Sequence, residues 1–158
     1  GLSPKENLRI PKLNYQMVYD IKAAHPEIEI IINGAITNTR DINYHLSKVD
    51  GVMIGRAIYQ SPYFLADIEK EIFNNNNILS REEIIERLVE YVNKEVQKGT
   101  RVNQIMRHTV GLYHGQRGAS KWKRYLSNNM MARDSDFQKA KHIMDIAQNN
   151  EKANQASI

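Results

Sequence analysis

The chain has 158 residues, a formal net charge of +4, 41% apolar and 25% charged side chains, which suits a soluble globular protein of one domain or two small ones. It has no cysteine, which excludes a disulfide framework, a thiolate metal site or a cysteine nucleophile within it and fits a reducing, cytoplasmic setting. No apolar run approaches the length of a membrane span and no signal-peptide pattern opens the chain, so no membrane partner is expected.

The sequence starts without methionine, and Gly1-Leu2-Ser3-Pro4-Lys5 reads as the middle of a loop, so we expect part of a longer protein. Residues 1–13 are polar and punctuated by Pro4 and Pro11. Asn14 then caps a helix predicted to run to about residue 24, with Met17, Val18, Ile21 and Ala24 on one face. Pro26 stops it. A first strand, Ile28-Glu29-Ile30-Ile31-Ile32, breaks at Asn33-Gly34-Ala35-Ile36. A short helix opens at Thr39 and runs through Ser47, with Ile42 and Leu46 inward. A second strand, Gly51-Val52-Met53-Ile54, breaks at Gly55-Arg56. Ser61-Pro62 starts another helix, since proline suits the first helical position, with Leu65, Ile68 and Ile72 as its buried stripe.

That order of helix, strand, helix, strand, helix predicts parallel strands joined by a crossover helix. Neither strand alternates cleanly, so both are expected to be covered on both faces. Two strands cannot close a barrel or bury both faces of a sheet. The N-terminal half therefore reads as the end of a larger α/β domain.

Asn74-Asn75-Asn76-Asn77 favours turns over a packed helix, and we expect a linker at 74–79 between a first domain, 1–73, and a helical domain, 80–149. Ser80-x-x-Glu83 is a capping box. Ile84, Ile85, Leu88, Val89, Val92 and Val96 line one face of the helix it opens, and Gly99 suits its C-terminal cap. Val102, Ile105, Met106, Thr109, Val110 and Tyr113 form a second helical stripe. Gly115-Gln116-Arg117-Gly118 is a turn. Trp122, Tyr125 and Leu126 mark a third helix, and Phe137, Ala140, Ile143, Met144 and Ala147 a fourth. Four such helices on short turns predict a small bundle, followed by a polar tail at 150–158.

The positive charge is local. Residues 96–133 hold Lys98, Arg101, Arg107, Arg117, Lys121, Lys123, Arg124 and Arg133 and no Asp or Glu, whereas the rest of the chain has 14 basic and 18 acidic side chains. His108, His114, Tyr113, Trp122 and Tyr125 are interleaved with them. Basic clustering with aromatics is the footprint of a nucleic-acid surface. A solvated helix face is the alternative, but it would usually carry acidic partners at i,i+4. The lack of any favours a polyanion.

The two strand-end glycines, Gly34 and Gly55, allow close backbone approach to a phosphate, and Arg56 would add charge-assisted hydrogen bonds. In a closed (β/α)8 barrel the loops after strands seven and eight are the common phosphate site. Such turns also occur for steric reasons alone. His25 and His45 read as structural histidines, with His45 exposed or partly packed. No cysteine or carboxylate spacing points to a metal or to acid–base catalysis.

Gly1-Leu2-Ser3-Pro4-Lys5-Glu6-Asn7, Ile32-Asn33-Gly34-Ala35-Ile36, Asp50-Gly51-Val52-Met53-Ile54-Gly55-Arg56 and Arg107-His108-x-x-Gly111-Leu112 together resemble tRNA-dihydrouridine synthases. The opening segment and Gly115-x-x-Gly118-Ala119-x-x-Trp122 are most similar to subfamily A. The resemblance implies the last two β/α units of an FMN-binding (β/α)8 (TIM) barrel followed by a C-terminal helical, tRNA-binding bundle. It implies reduction of uridine to 5,6-dihydrouridine in the tRNA D-loop, with NADPH as reductant. Asn33, Gly34, Ala35, Gly55 and Arg56 would hold the FMN phosphate; the family typically has glycine where Ala35 stands, and alanine is costly there if φ is positive. Lys5 matches a tRNA-contacting position, and the neighbouring basic contact falls at Leu8, beside Arg9. Arg107, Arg117, Lys121, Lys123 and Arg124 complete the expected tRNA surface. The family's catalytic cysteine and flavin-contacting lysine and histidine lie in the earlier barrel half, so no catalytic residue is expected in this chain, which by itself should be inactive.

Two other readings compete: an FMN-dependent TIM-barrel oxidoreductase acting on a small molecule, which would not need the basic span, and a non-catalytic RNA-binding module, which would not need unpartnered parallel strands.

Overall fold

A computed structural model describes residues 13–129 of the chain. Residues 1–12 of the predicted N-terminal loop, the fourth predicted helix and the polar tail lie outside the described residues. The described residues fall into two compact units, divided between Ile54 and Gly55.

The first unit has the predicted order: α1 (Tyr15–Ala24), β1 (Ile31–Asn33), α2 (Thr39–Leu46) and β2 (Gly51–Met53). Asn14 caps α1, its side-chain oxygen accepting from the Met17 N–H at 3.2 Å. Asn38 caps α2 in the same way through the Asp41 N–H at 2.9 Å. β1 and β2 pair in parallel, with Ile31 opposite Gly51, Ile32 opposite Val52 and Asn33 opposite Met53. α2 is the crossover between them. Ile32, Ile36, Ile42 and Val49 are the buried apolar side chains.

β1 is shorter than the predicted 28–32. The Ile28 N–H turns back to the His25 carbonyl at 3.1 Å, and the Ile30 N–H is taken by the Asp50 carboxylate at 2.8 Å. Lys22 ties this stretch down, donating to the Pro26 and Ile28 carbonyls and pairing with Asp50, each at 2.8 Å. Within this unit only one face of the strand pair is covered, as expected for two strands on their own: Ile32 is buried, but Ile31 is 60% exposed and Met53 is exposed too. Two strands and two helices supply one covering layer, not two. For the same reason α1 buries no residue, and Met17 and Ile21 of its predicted stripe are exposed.

On α2 the inner face is Ile42 and His45, not Ile42 and Leu46. His45, expected to be exposed or partly packed, is 3% exposed. Its burial is compensated. Nδ1 lies 2.7 Å from the Tyr19 hydroxyl, and the Tyr15 ring meets the imidazole edge-on at 4.6 Å. Burial pushes the Tyr15 and Tyr19 phenols above their ordinary pKa, with smaller contributions from Asp41 on the first and from Tyr44 and Tyr15 on the second.

The second unit is helical: α3 (Arg56–Gln60), α4 (Phe64–Glu71), α5 (Arg81–Gln97), α6 (Val102–Met106) and α7 (Ala119–Asn129). Sequence reading placed no element at α3, whose single turn is too short for a period to register. α4 starts at Phe64, not at Pro62, and buries Ile68, while Leu65 of its predicted stripe is exposed. The capping box of α5 is formed in both directions, Glu83 N–H to Ser80 Oγ at 3.1 Å and Ser80 N–H to Glu83 Oε2 at 2.7 Å.

The second predicted stripe forms one short helix and then turns. After Met106 the chain leaves the helix, and the Thr109 hydroxyl donates back to the Met106 carbonyl at 2.8 Å. Further along, the Gly111 backbone lies so close to the Gln60 carbonyl and the Pro62 ring that a Cβ there would collide with the carbonyl. Ile85, Val92, Met106, Leu112, Tyr113, Trp122 and Leu126 form the core. Tyr113 and Trp122 meet edge to face at 5.0 Å, and the Trp122 indole N–H donates to the Thr109 carbonyl at 3.0 Å. The stretch on both sides of the asparagine run joins this core. The Tyr63 hydroxyl donates to the Leu79 carbonyl, and the Arg81 guanidinium lies 3.6 Å over the Tyr63 ring while donating to the Leu112 carbonyl.

Among the described residues no helix is long and apolar enough to cross a membrane.

Candidate functional site

In the first unit, Asn33 stands opposite Met53, so the two parallel strands finish at the same end. The turn leaving β1 has two successive residues with positive φ, Gly34 at +131° and Ala35 at +44°. Glycine is favoured at the first by its φ; an added Cβ would come within 2.9 Å of one Leu13 methyl carbon, the end of a side chain free to shift. The Tyr15 hydroxyl pins the turn by donating to the Gly34 carbonyl at 2.6 Å. Ala35 is the strained member, since a left-handed conformation costs an L-residue roughly 1–2 kcal/mol. Asn33 and Ala35 are exposed.

In the second unit, Gly55 immediately precedes α3, with φ −102° and ψ −89°, and no side chain caps the helix. An added Cβ at Gly55 would meet nothing within 4 Å, so its backbone is open to close approach from outside. Arg56 is exposed. None of the ion pairs among the described residues includes it.

The basic span is also in the second unit. Arg107, Arg117, Lys121, Lys123 and Arg124 are all exposed. On α7 the division is the predicted one. Trp122 and Leu126 have no exposed surface and Tyr125 packs against the core, while Lys121, Lys123 and Arg124 reach solvent. Lys98 pairs with Glu95 at 2.7 Å, which holds the Glu95 carboxyl below and the Lys98 ammonium above their ordinary pKa values, so Lys98 adds little to the outward field. Lys5, Arg9 and Arg133 lie outside the described residues.

One grouping escaped the sequence reading. Tyr59, Arg107, His108, Gly111, His114 and Lys123 line a cleft of about 510 Å³ in the second unit. Among the described residues no Asp or Glu lines it. Tyr59 and His108 are separated by 49 positions, and no period or motif links them; the Gly111 approach to Gln60 brings their segments together.

The family model described as "Dihydrouridine synthase (Dus)" matches residues 1–151. Curated relatives named tRNA-dihydrouridine(20/20a) synthase include one from Synechocystis sp., 48% identical over 132 residues, covering 83% of this chain and 40% of that protein. One from Shewanella oneidensis is 45% identical over 82% of this chain and 39% of its own length. One from Escherichia coli is 37% identical over 147 residues, 92% of this chain and 43% of its own length. The chain thus spans about two fifths of the length of the relatives it matches.

Proposed function

Because this chain belongs to the dihydrouridine synthase family, we propose that it is the C-terminal part of a flavin-dependent tRNA-dihydrouridine synthase. The whole protein reduces uridine to 5,6-dihydrouridine in the tRNA D-loop with NADPH as reductant, in the cytoplasm. Residues 1–73 end its TIM barrel, 74–79 link, and 80–149 form the tRNA-binding bundle. The observation that carries this reading is the family match over almost the entire chain.

Each strand-end turn has features that suit the phosphate end of FMN. Gly34 is a turn glycine at positive φ, and Gly55 has an open backbone face beside an exposed guanidinium. Bound FMN would supply the electrons for uracil reduction. Asn33, Gly34 and Ala35 would hold its phosphate, as would Gly55 and Arg56, and the open face of β1 at Ile31 would be covered by the earlier barrel half. Arg107, Arg117, Lys121, Lys123 and Arg124, with Lys5 and Arg9, neutralise the tRNA backbone.

The coding sequence upstream of Gly1 tests the reading. A barrel half bearing a cysteine is expected. A start codon close to Gly1 would instead favour a non-catalytic RNA-binding module.

A further inference from the structure

The cleft around Tyr59 has three properties that a purely electrostatic surface does not need. The first is an exposed aromatic face: Tyr59 is 62% exposed, and its contact with His108 is edge-to-face at 5.9 Å and 76°, which covers at most one side of the ring. The second is a line of polar contacts behind the ring: the Arg107 Nε–H donates to His108 Nε2 at 3.0 Å, and His108 Nδ1 lies 3.3 Å from the Tyr59 hydroxyl oxygen. The third is the company these groups keep: Arg107, His114 and Lys123 line the same cleft and, among the described residues, no carboxylate does.

We propose that this cleft seats one nucleotide of single-stranded RNA, with its base stacked on the open face of Tyr59 and its phosphate met by Arg107, His114 and Lys123. Stacking on an aromatic face between cationic side chains is how proteins hold unpaired RNA without reading its sequence. The cleft's volume is of the size that takes a small ligand. The proposal rests on the RNA reading above and adds to it a base-binding residue that the charge count did not supply.

The test uses the full-length protein, with fluorescence anisotropy of a labelled short oligouridylate and competition by inorganic polyphosphate. Tyr59→Ala should weaken oligouridylate binding about fivefold to 150-fold, the range for losing one base–aromatic stack, and leave polyphosphate binding unchanged. Tyr59→Phe keeps the ring and should lose less than Tyr59→Ala. Thermal melting should not move for either variant, since the side chain is exposed. Wild-type oligouridylate affinity in Tyr59→Ala would overturn the proposal, and so would an equal loss for polyphosphate, which would make the cleft a site of charge alone. If charge reversal on α7 weakens tRNA binding while Tyr59→Ala does not, the cleft fails and the RNA reading stands. If the wild-type protein binds polyphosphate but neither oligouridylate nor tRNA, both fail.

Discussion

Ala35 carries a Cβ at a backbone angle that favours glycine, and the turn holds it there because Gly34 is pinned by Tyr15 and β1 is paired to β2. Ala35→Gly should relieve a left-handed cost of roughly 1–2 kcal/mol, offset by about 0.4–1 kcal/mol of added freedom in the unfolded chain. Chemical denaturation should show unchanged or slightly raised stability; a clear loss would contradict the positive φ. Trp122 is the opposite case, fully buried and hydrogen-bonded, so Trp122→Ala should destabilise by about 3–5 kcal/mol. Arg56 bears on the cofactor. In the full-length protein Arg56→Ala should weaken FMN retention roughly tenfold to a hundredfold, the effect of losing about 1.5–3 kcal/mol of charged hydrogen bonding. Flavin occupancy equal to wild type on purification would make Arg56 a structural residue.

Among the elements, the junction of α1, β1 and β2 depends on one carboxylate. Asp50 accepts from the Lys22 ammonium and the Ile30 N–H, which together hold its pKa below the ordinary carboxylate range. A carboxyl whose folded pKa is depressed contributes stability that is complete above its unfolded value, near 4, and is lost as pH falls through the folded value. Melting temperature should therefore drop on acidification below about pH 4, and Asp50→Asn should lower it at neutral pH and flatten the acid limb. A melting curve of unchanged pH dependence in the variant would show that the junction does not depend on this charge. The elements most legible in the sequence were those with local chemistry: the Asn14 cap, the Ser80–Glu83 box, and the inward Trp122 and Leu126 of α7. The errors came from contacts that no local pattern encodes. The stripe expected to be helical through Tyr113 is helical only to Met106, with Gly111 held close against Gln60, and His45 is buried because Tyr15 and Tyr19 are there to receive it. The Tyr59 cleft joins residues 49 positions apart, and although Arg107-His108-x-x-Gly111 is a motif in itself, nothing local ties it to Tyr59.

For the whole molecule, the order of glycine turns and basic motifs was enough to indicate the family, and the chain spans about two fifths of the length of the relatives it matches. Such a chain, having only the phosphate end of the proposed flavin site, should bind FMN weakly or not at all in a fluorescence titration. Tight stoichiometric binding would overturn the barrel-end reading. Affinity of the full-length protein for tRNA should fall steeply with salt, because each neutralised phosphate releases counterions. Reversing both Lys121 and Arg124 to Glu should weaken binding and flatten that slope with little change in stability, since both side chains are exposed. Equal affinities and slopes would move the RNA surface off α7.

The most direct measurement is nucleoside analysis of tRNA that lacks dihydrouridine, after incubation with the full-length, flavin-loaded protein and NADPH. The account predicts that a D-loop uridine gains two hydrogens and is recovered as 5,6-dihydrouridine, and that the 158-residue chain alone produces none. Flavin-loaded protein that oxidises NADPH but leaves every uridine unchanged would contradict it.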